Sequence, residues 1–266
     1  MTITANDNSI VFSIISTLLL SIIWGVVTIF VSGLSEQLGI QMLLLTQAMV
    51  SVVFAVFAMG LLGKINKINV IKHVFNRRGF TKGLLILIPV AMFFLLGIVL
   101  NTSDLTNIGT ESVRLLPVMI FMQIASAFMQ NILFRGLLVT ALFVKFSSTA
   151  KERVRSIFIA SALYLIIYIL LNVFNTGELG LMQLINTFVV GAGFCVAYLY
   201  TRNILSLMFV QGIWQALSSM IALFSADGYS QSTSMILIVL ILATLISIII
   251  TAIIFSKRAK PFSLEE

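Results

Sequence analysis

The residues with the reach to do chemistry in this chain are a few amides, two tyrosines and one arginine. Gln130 and Asn131 are adjacent, and Arg135 follows Asn131 by four. Gln211 and Gln215 are four apart with Trp214 between them, and Tyr164 and Tyr168 repeat that spacing. Residues at i and i+4 share a helix face, so each segment aims a polar or aromatic pair in one direction. All of them sit in apolar runs, MQNILFRGLL around Arg135 being the plainest. A guanidinium in such a place needs an acceptor, usually a carboxylate, and the nearest acid toward the N-terminus is Glu111. The chain has 9 acidic residues, none inside a predicted span, and its 1 histidine is His73, in the basic connection 64–82. Amides cannot take a proton near neutral pH, and phenols hold theirs. General-base catalysis, a Glu–His or two-His metal site within one chain, and Ser–His chemistry therefore all lack their base. The set reads as hydrogen-bonding equipment.

Each of these residues also has a plainer reading. Amides in apolar helices serve as interhelical glue worth about 1 kcal/mol or less, and that applies equally to Gln123, Gln183 and Asn186. Tyr164 and Tyr168 fit as packing aromatics, with Asn172 one turn later. Arg135 can snorkel toward the face that Lys145 marks. Gly191, Gly193 and Ala197 suit close helix packing.

The elements that must position these groups are membrane helices. Hydrophobic residues make up 60% of the 266 and charged ones 9%. Apolar runs at roughly 10–32, 42–63, 83–100, 115–144, 156–174, 181–200, 204–224 and 234–255 each suffice to cross a hydrocarbon core of about 30 Å. A backbone in lipid must satisfy its own hydrogen bonds, so these runs are expected to be helices; a β-barrel would show short alternating segments. The expectation is an all-α, polytopic membrane protein of about eight transmembrane helices, with 1–266 a single integral membrane domain. At about 1.5 Å per residue, the run 115–144 is longer than one span requires, so it tilts or projects. The connection 64–82 reads as a solvated basic loop or as a short amphipathic helix on the inner leaflet.

The formal charge of +7 is spread over short loops, which points to anionic lipid headgroups and away from nucleic acid. Of the 16 Lys and Arg, all except Arg114 and Arg135 fall on one side of the eight-span arrangement, which predicts cytoplasmic N- and C-termini in a multi-pass cell-membrane protein. Cys195 is the only cysteine, so no disulfide or thiolate cluster forms within one chain. The first apolar run has no Lys or Arg before it and is expected to be a retained span.

The motifs resemble those of the CPBP intramembrane proteases, the family of CAAX prenyl endopeptidases and bacteriocin-processing (Abi) proteins. The first family motif reads EE, two apolar residues, then FRG. Here the frame is QNILFRG, with Phe134, Arg135 and Gly136 matching and Gln130 and Asn131 standing at the glutamates. The second, FxxxH, falls on YLIIY, with Tyr164 for Phe and Tyr168 for His. The third, HxxxN or HxxxD, follows a tract similar to YLYTRNILSLMFVQGIWQ and places Gln211 at the histidine and Gln215 at the asparagine. The resemblance covers residues 115–220, a CPBP-like helical core. It implies a mechanism in which a glutamate activates water, histidines assist, and Arg and Asn position the reacting groups.

The departures here fall on those chemical positions. The resemblance thus implies a divergent member without the catalytic Glu and His residues, a pseudoprotease with no catalytic residue, cofactor or metal. Its role would be to bind another membrane or cell-envelope protein as a scaffold, regulator or bacteriocin-immunity factor. The Ile-, Leu-, Phe- and Lys-rich composition fits a low-GC Gram-positive bacterium. The alternative is an active intramembrane endopeptidase with an altered site. A lipid- or small-molecule-binding, transporter-like protein would be expected to show an inverted repeat, and the sequence has none that we detect. Gln130, Asn131, Arg135, Tyr168, Gln211 and Gln215 are expected to face a common interior cavity, with Arg135 donating to Gln130, to backbone carbonyls or to an amide on a neighbouring helix.

Overall fold

The computed structural model describes residues 7–66, 71, 74–75, 77–101, 110–175, 181–224 and 235–260. Among these residues the chain is helices joined by short turns, with no strand. In chain order the helices are α1 (Asp7–Gly33), α2 (Ser35–Asn66), α3 (Phe80–Ile86), α4 (Ile88–Asn101), α5 (Thr110–Asn131), a π-helical segment (Ile132–Val139), α6 (Thr140–Lys145), α7 (Ala150–Asn175), α8 (Leu181–Thr201), α9 (Ile204–Phe224) and α10 (Met235–Arg258). Among the described residues, four helical stretches are long and apolar enough to cross a membrane: Ile10–Gly33, Gln37–Ile65, Val113–Lys145 and Ala150–Leu170. Thr187–Thr201 and Ile204–Leu217 are shorter apolar helices. The fold class expected from the sequence is thus seen, and eight crossings are compatible with it.

The expected span 83–100 is two helices. The first ends at Leu87, whose N–H still bonds Gly83 and Leu84 oxygens at 3.0 and 3.1 Å. Pro89 follows at the start of the second, where a missing N–H costs nothing. The long run 115–144 is one continuous element, α5, the π segment and α6, and it is the axis of the molecule. It packs most extensively on α2 and α9, with α1 and α7 closing on the π segment.

Sidedness follows from the solvent. Large apolar side chains such as Phe30, Val53, Phe57 and Phe158 point outward, while Ser13, Thr17, Ser21, Ala48, Ser51 and Ala55 are buried. Lipid tails are as apolar as leucine, so helix association here favours small residues that let backbones approach. Ser13, Thr17 and Ser21 repeat every fourth residue on α1, and the Ser13 and Ser21 hydroxyls are buried without a hydrogen-bond partner. Thr17 Oγ1 reaches the carbonyl of Leu133 at 3.5 Å, inside the π segment.

The helix ends nearest the basic loops are tied by named side chains. Thr149 and Glu152 form a reciprocal capping box at the start of α7, each accepting the other's backbone N–H at 3.2 Å. Arg153 donates to the carbonyls of Ser147 and Ser256, both at 2.9 Å, and so fastens the last turn of α10. Asn203 accepts the Ser206 N–H at 2.8 Å to cap α9 and donates to the Arg78 carbonyl at 3.1 Å. Gly79, at φ 77°, is needed beside this knot, because a Cβ there would meet the Thr201 oxygen at 2.9 Å. These contacts fix how the connection from α2 returns to α3. The part of the notional inner-leaflet helix at 67–70, 72–73 and 76 lies outside the described residues.

Candidate functional site: an amide network beside a caged arginine

Gln130 and Asn131 end α5 and face α9. Asn131 Nδ2 donates to Gln211 Oε1 at 3.0 Å and to the Ala127 carbonyl at 2.8 Å. Gln211 Nε2 in turn donates to Gln130 Oε1, which also accepts from Gln215 Nε2 at 3.3 Å. Gln130 Nε2 donates to Ser126 Oγ, one turn back, at 3.2 Å. Toward the far end of the same helix pair, Gln123 donates to Ser219. Asn131 and Gln211 are fully buried, and Gln130 and Gln215 half-buried. Trp214, between the two glutamines, turns to the other side and stacks on Phe94 with ring centroids 4.4 Å apart.

Four sequence-nominated amides therefore meet, and they meet by bonding one another, closing the helix interface where an open cavity was expected. Two acceptors are left over. Asn131 Oδ1 and Gln215 Oε1 are buried without a hydrogen-bond partner.

Arg135 does not join them. Its side chain is 1% exposed, and Nε and Nη1 have no hydrogen-bond partner. The guanidinium carbon instead lies 4.9 Å from the Tyr164 ring centroid and 5.0 Å from that of Phe194. Phe134 holds Tyr164 edge-on at 4.8 Å. Gly191 makes room on the far side, where a Cβ would come within 3.1 Å of Tyr164 Cδ1. This corrects the expectation that Arg135 donates to Gln130, a carbonyl or a neighbouring amide.

The physical reason is the π segment. In an α-helix, residue i+4 stands over residue i, and Arg135 would reach Asn131. In a π-helix the bond runs to i+5, the turn widens, and the side chain swings to another face. Thr140 fixes that wider turn: its N–H and Oγ1 both bond the Arg135 carbonyl, Oγ1 at 3.0 Å, and its hydroxyl also pairs with Tyr198 OH at 2.6 Å. Gly136 lets α2 pack close to this turn, since a Cβ there would press Leu62 at 3.2 Å.

Tyr164 is thus a wall of the arginine cage. Tyr168 is half-buried one turn further along α7. The side chains of Gln183, Asn186 and Asn172 lie outside the described residues, as does His73. The residues that sequence reasoning missed are Phe194, the second wall, and Ser126, Thr140 and Tyr198. Only Ser126 carried a signal, its i, i+4 spacing to Gln130; a phenylalanine in an apolar run carries none. Chemically, the amides can hold and orient a polar group without moving a proton, and the guanidinium can attract an acceptor. No group of three or more His, Cys, Asp or Glu residues that could hold a metal comes together among the described residues.

The comparison with protein families falls on this same region. Residues 112–217, from the start of α5 to the middle of α9, match the family model described as Rce1-like, type II CAAX prenyl endopeptidase. No curated protein matches the chain, and no solved structure does. The matched stretch contains the amide network and the arginine cage. Residues 112–217 are thus similar to the Rce1-like type II CAAX prenyl endopeptidases, as the motifs around Arg135, Tyr164 and Gln211 led us to expect.

Proposed function

We propose that this is a non-catalytic CPBP-like membrane protein that binds another membrane or cell-envelope protein, acting as a scaffold, regulator or bacteriocin-immunity factor in a Gram-positive cell membrane. The observation that carries the reading is the bonding of Gln130, Asn131, Gln211 and Gln215 to one another. Where the family resemblance expects acid and base, this chain has amides already engaged. A general base needs a group that titrates near the working pH, and an amide offers none. The degenerate positions Gln130, Asn131, Arg135, Tyr164, Tyr168, Gln211 and Gln215 are then structural and binding positions, and no cofactor or metal enters the account.

The whole chain, 1–266, acts as one membrane domain with both termini cytoplasmic. Its basic loops, with Lys64, Arg77, Arg78, Lys151 and Lys257 among their residues, lie against anionic lipid. A second reading, an endopeptidase with an altered site, is favoured by the family match itself. Affinity purification after crosslinking in intact membranes tests the first reading, which expects a stoichiometric protein partner. If wild-type protein brings down none, the partner-binding reading fails.

A further inference from the structure

We propose that Arg135 receives a carboxylate carried into the bilayer by a transmembrane segment of another protein. The proposal rests on the partner-binding reading above and names the chemistry of its contact. The guanidinium is buried, and Nε and Nη1 are unpartnered. Both are unused donors of a buried cation, and a carboxylate is the acceptor that matches its charge. Tyr164 and Phe194 hold the cation between their faces, but rings do not replace in-plane acceptors. The neighbouring amides bond one another, and their two spare acceptors, Asn131 Oδ1 and Gln215 Oε1, make no bond to it.

Depth narrows the ligand. Arg135 lies in the span Val113–Lys145, ten residues before Lys145. Its neighbours in sequence Phe134, Leu137 and Leu138 are buried apolar side chains, so the complementary anion is one that apolar surroundings can hold, and an Asp or Glu within a transmembrane helix is such a group.

Access is set by one side chain. Phe194 is buried and Tyr164 half-buried, so the Tyr164 ring is the wall that moves aside when a carboxylate reaches the guanidinium.

The experiment uses the full chain in nanodiscs and two Leu/Ala-based transmembrane peptides that differ only in a single central Glu or Gln, with binding read by energy transfer. The Glu peptide is expected to bind at least about tenfold tighter. Arg135→Gln should erase that preference, and Tyr164→Leu should keep it while speeding association. Equal binding of the two peptides, or a preference that survives Arg135→Gln, overturns the proposal. Palmitate is the control for source: Arg135-dependent palmitate binding with no preference between the peptides assigns the site to lipid and overturns it too. Should Arg135→Gln fail to fold, Arg135→Lys decides, because it keeps the charge and loses the guanidinium. A several-fold loss of preference is expected there, and an unchanged one contradicts the proposal. In cells, undiminished capture of a partner by Arg135→Gln overturns this inference and leaves the partner-binding reading standing, whereas absence of any partner with wild-type protein removes the reading itself.

Discussion

The amide network and the arginine cage are one helical turn apart on the same axis, and they solve the problem of polarity in lipid in opposite ways. Between α5 and α9, four amides supply donors and acceptors in nearly equal number and consume most of them within the interface. Between the π segment, α7 and α8, one cation brings donors only and is met by the faces of two rings. The first arrangement is what a fold adopts to hold two helices together. The second leaves a charge only partly compensated at a depth where charge is costly. Neutral groups that both donate and accept can close on themselves; a cation cannot, and its surplus points outside the chain.

The strongest way to break this contrast is to remove the cation. Replacing a buried charge by an apolar side chain of similar volume is often neutral or stabilising, by about 1–4 kcal/mol. Arg135→Met should therefore raise the unfolding temperature of the detergent-solubilised protein while weakening partner capture. A large loss of stability would mean that Arg135 is a structural hub after all, as the expected multi-donor role required.

Next in size is the amide side. Gln211→Ala deprives Asn131 Nδ2 of one acceptor and Gln130 Oε1 of one donor, and should cost about 1–3 kcal/mol. A double-mutant cycle between Asn131→Ala and Gln211→Ala sharpens the point, with a coupling of about 0.5–3 kcal/mol expected for groups in direct contact. Additive losses would show that the amides are not one network. Tyr164→Leu removes one ring of the cage and should cost about 0.5–2 kcal/mol, measured by the same thermal assay. The smallest change belongs to Gln215→Leu. Its bond to Gln130 is long and its Oε1 is already unpartnered, so stability should stay within about 0.5 kcal/mol of wild type.

Much of this contrast could be read before any coordinates, and the part that could not has a definite cause. The i, i+4 spacing of Gln211 and Gln215, and the depth of Gln130 and Asn131, were enough to predict that these amides meet, because α5 and α9 keep the ordinary 3.6-residue turn. The same reasoning misplaced Arg135, because it assumed that turn through Ile132–Val139 as well. Nothing in ILFRGLLV announces a π-helix. Its stabilisers, Thr140 on the Arg135 carbonyl and Thr17 reaching Leu133 from α1, are visible only once distant segments are side by side. The break at Leu87 was also missed, although Pro89 marked the place, since hydropathy alone runs straight through it. The outward apolar and inward polar character of α1 and α2 was implicit in the membrane assignment, but which face of each turned inward was not. In lipid that choice depends on small residues such as Ala48 and Ala55 rather than on an apolar stripe.

The central claim is that the amides at Gln130, Asn131, Gln211 and Gln215 bind and hold rather than catalyse. The most direct measurement incubates purified wild-type protein in nanodiscs with a panel of membrane-spanning peptides and follows their intact masses. The account predicts no cleavage above that seen with empty nanodiscs. Reproducible cleavage that disappears with Gln130→Ala, in protein that still folds, would contradict it.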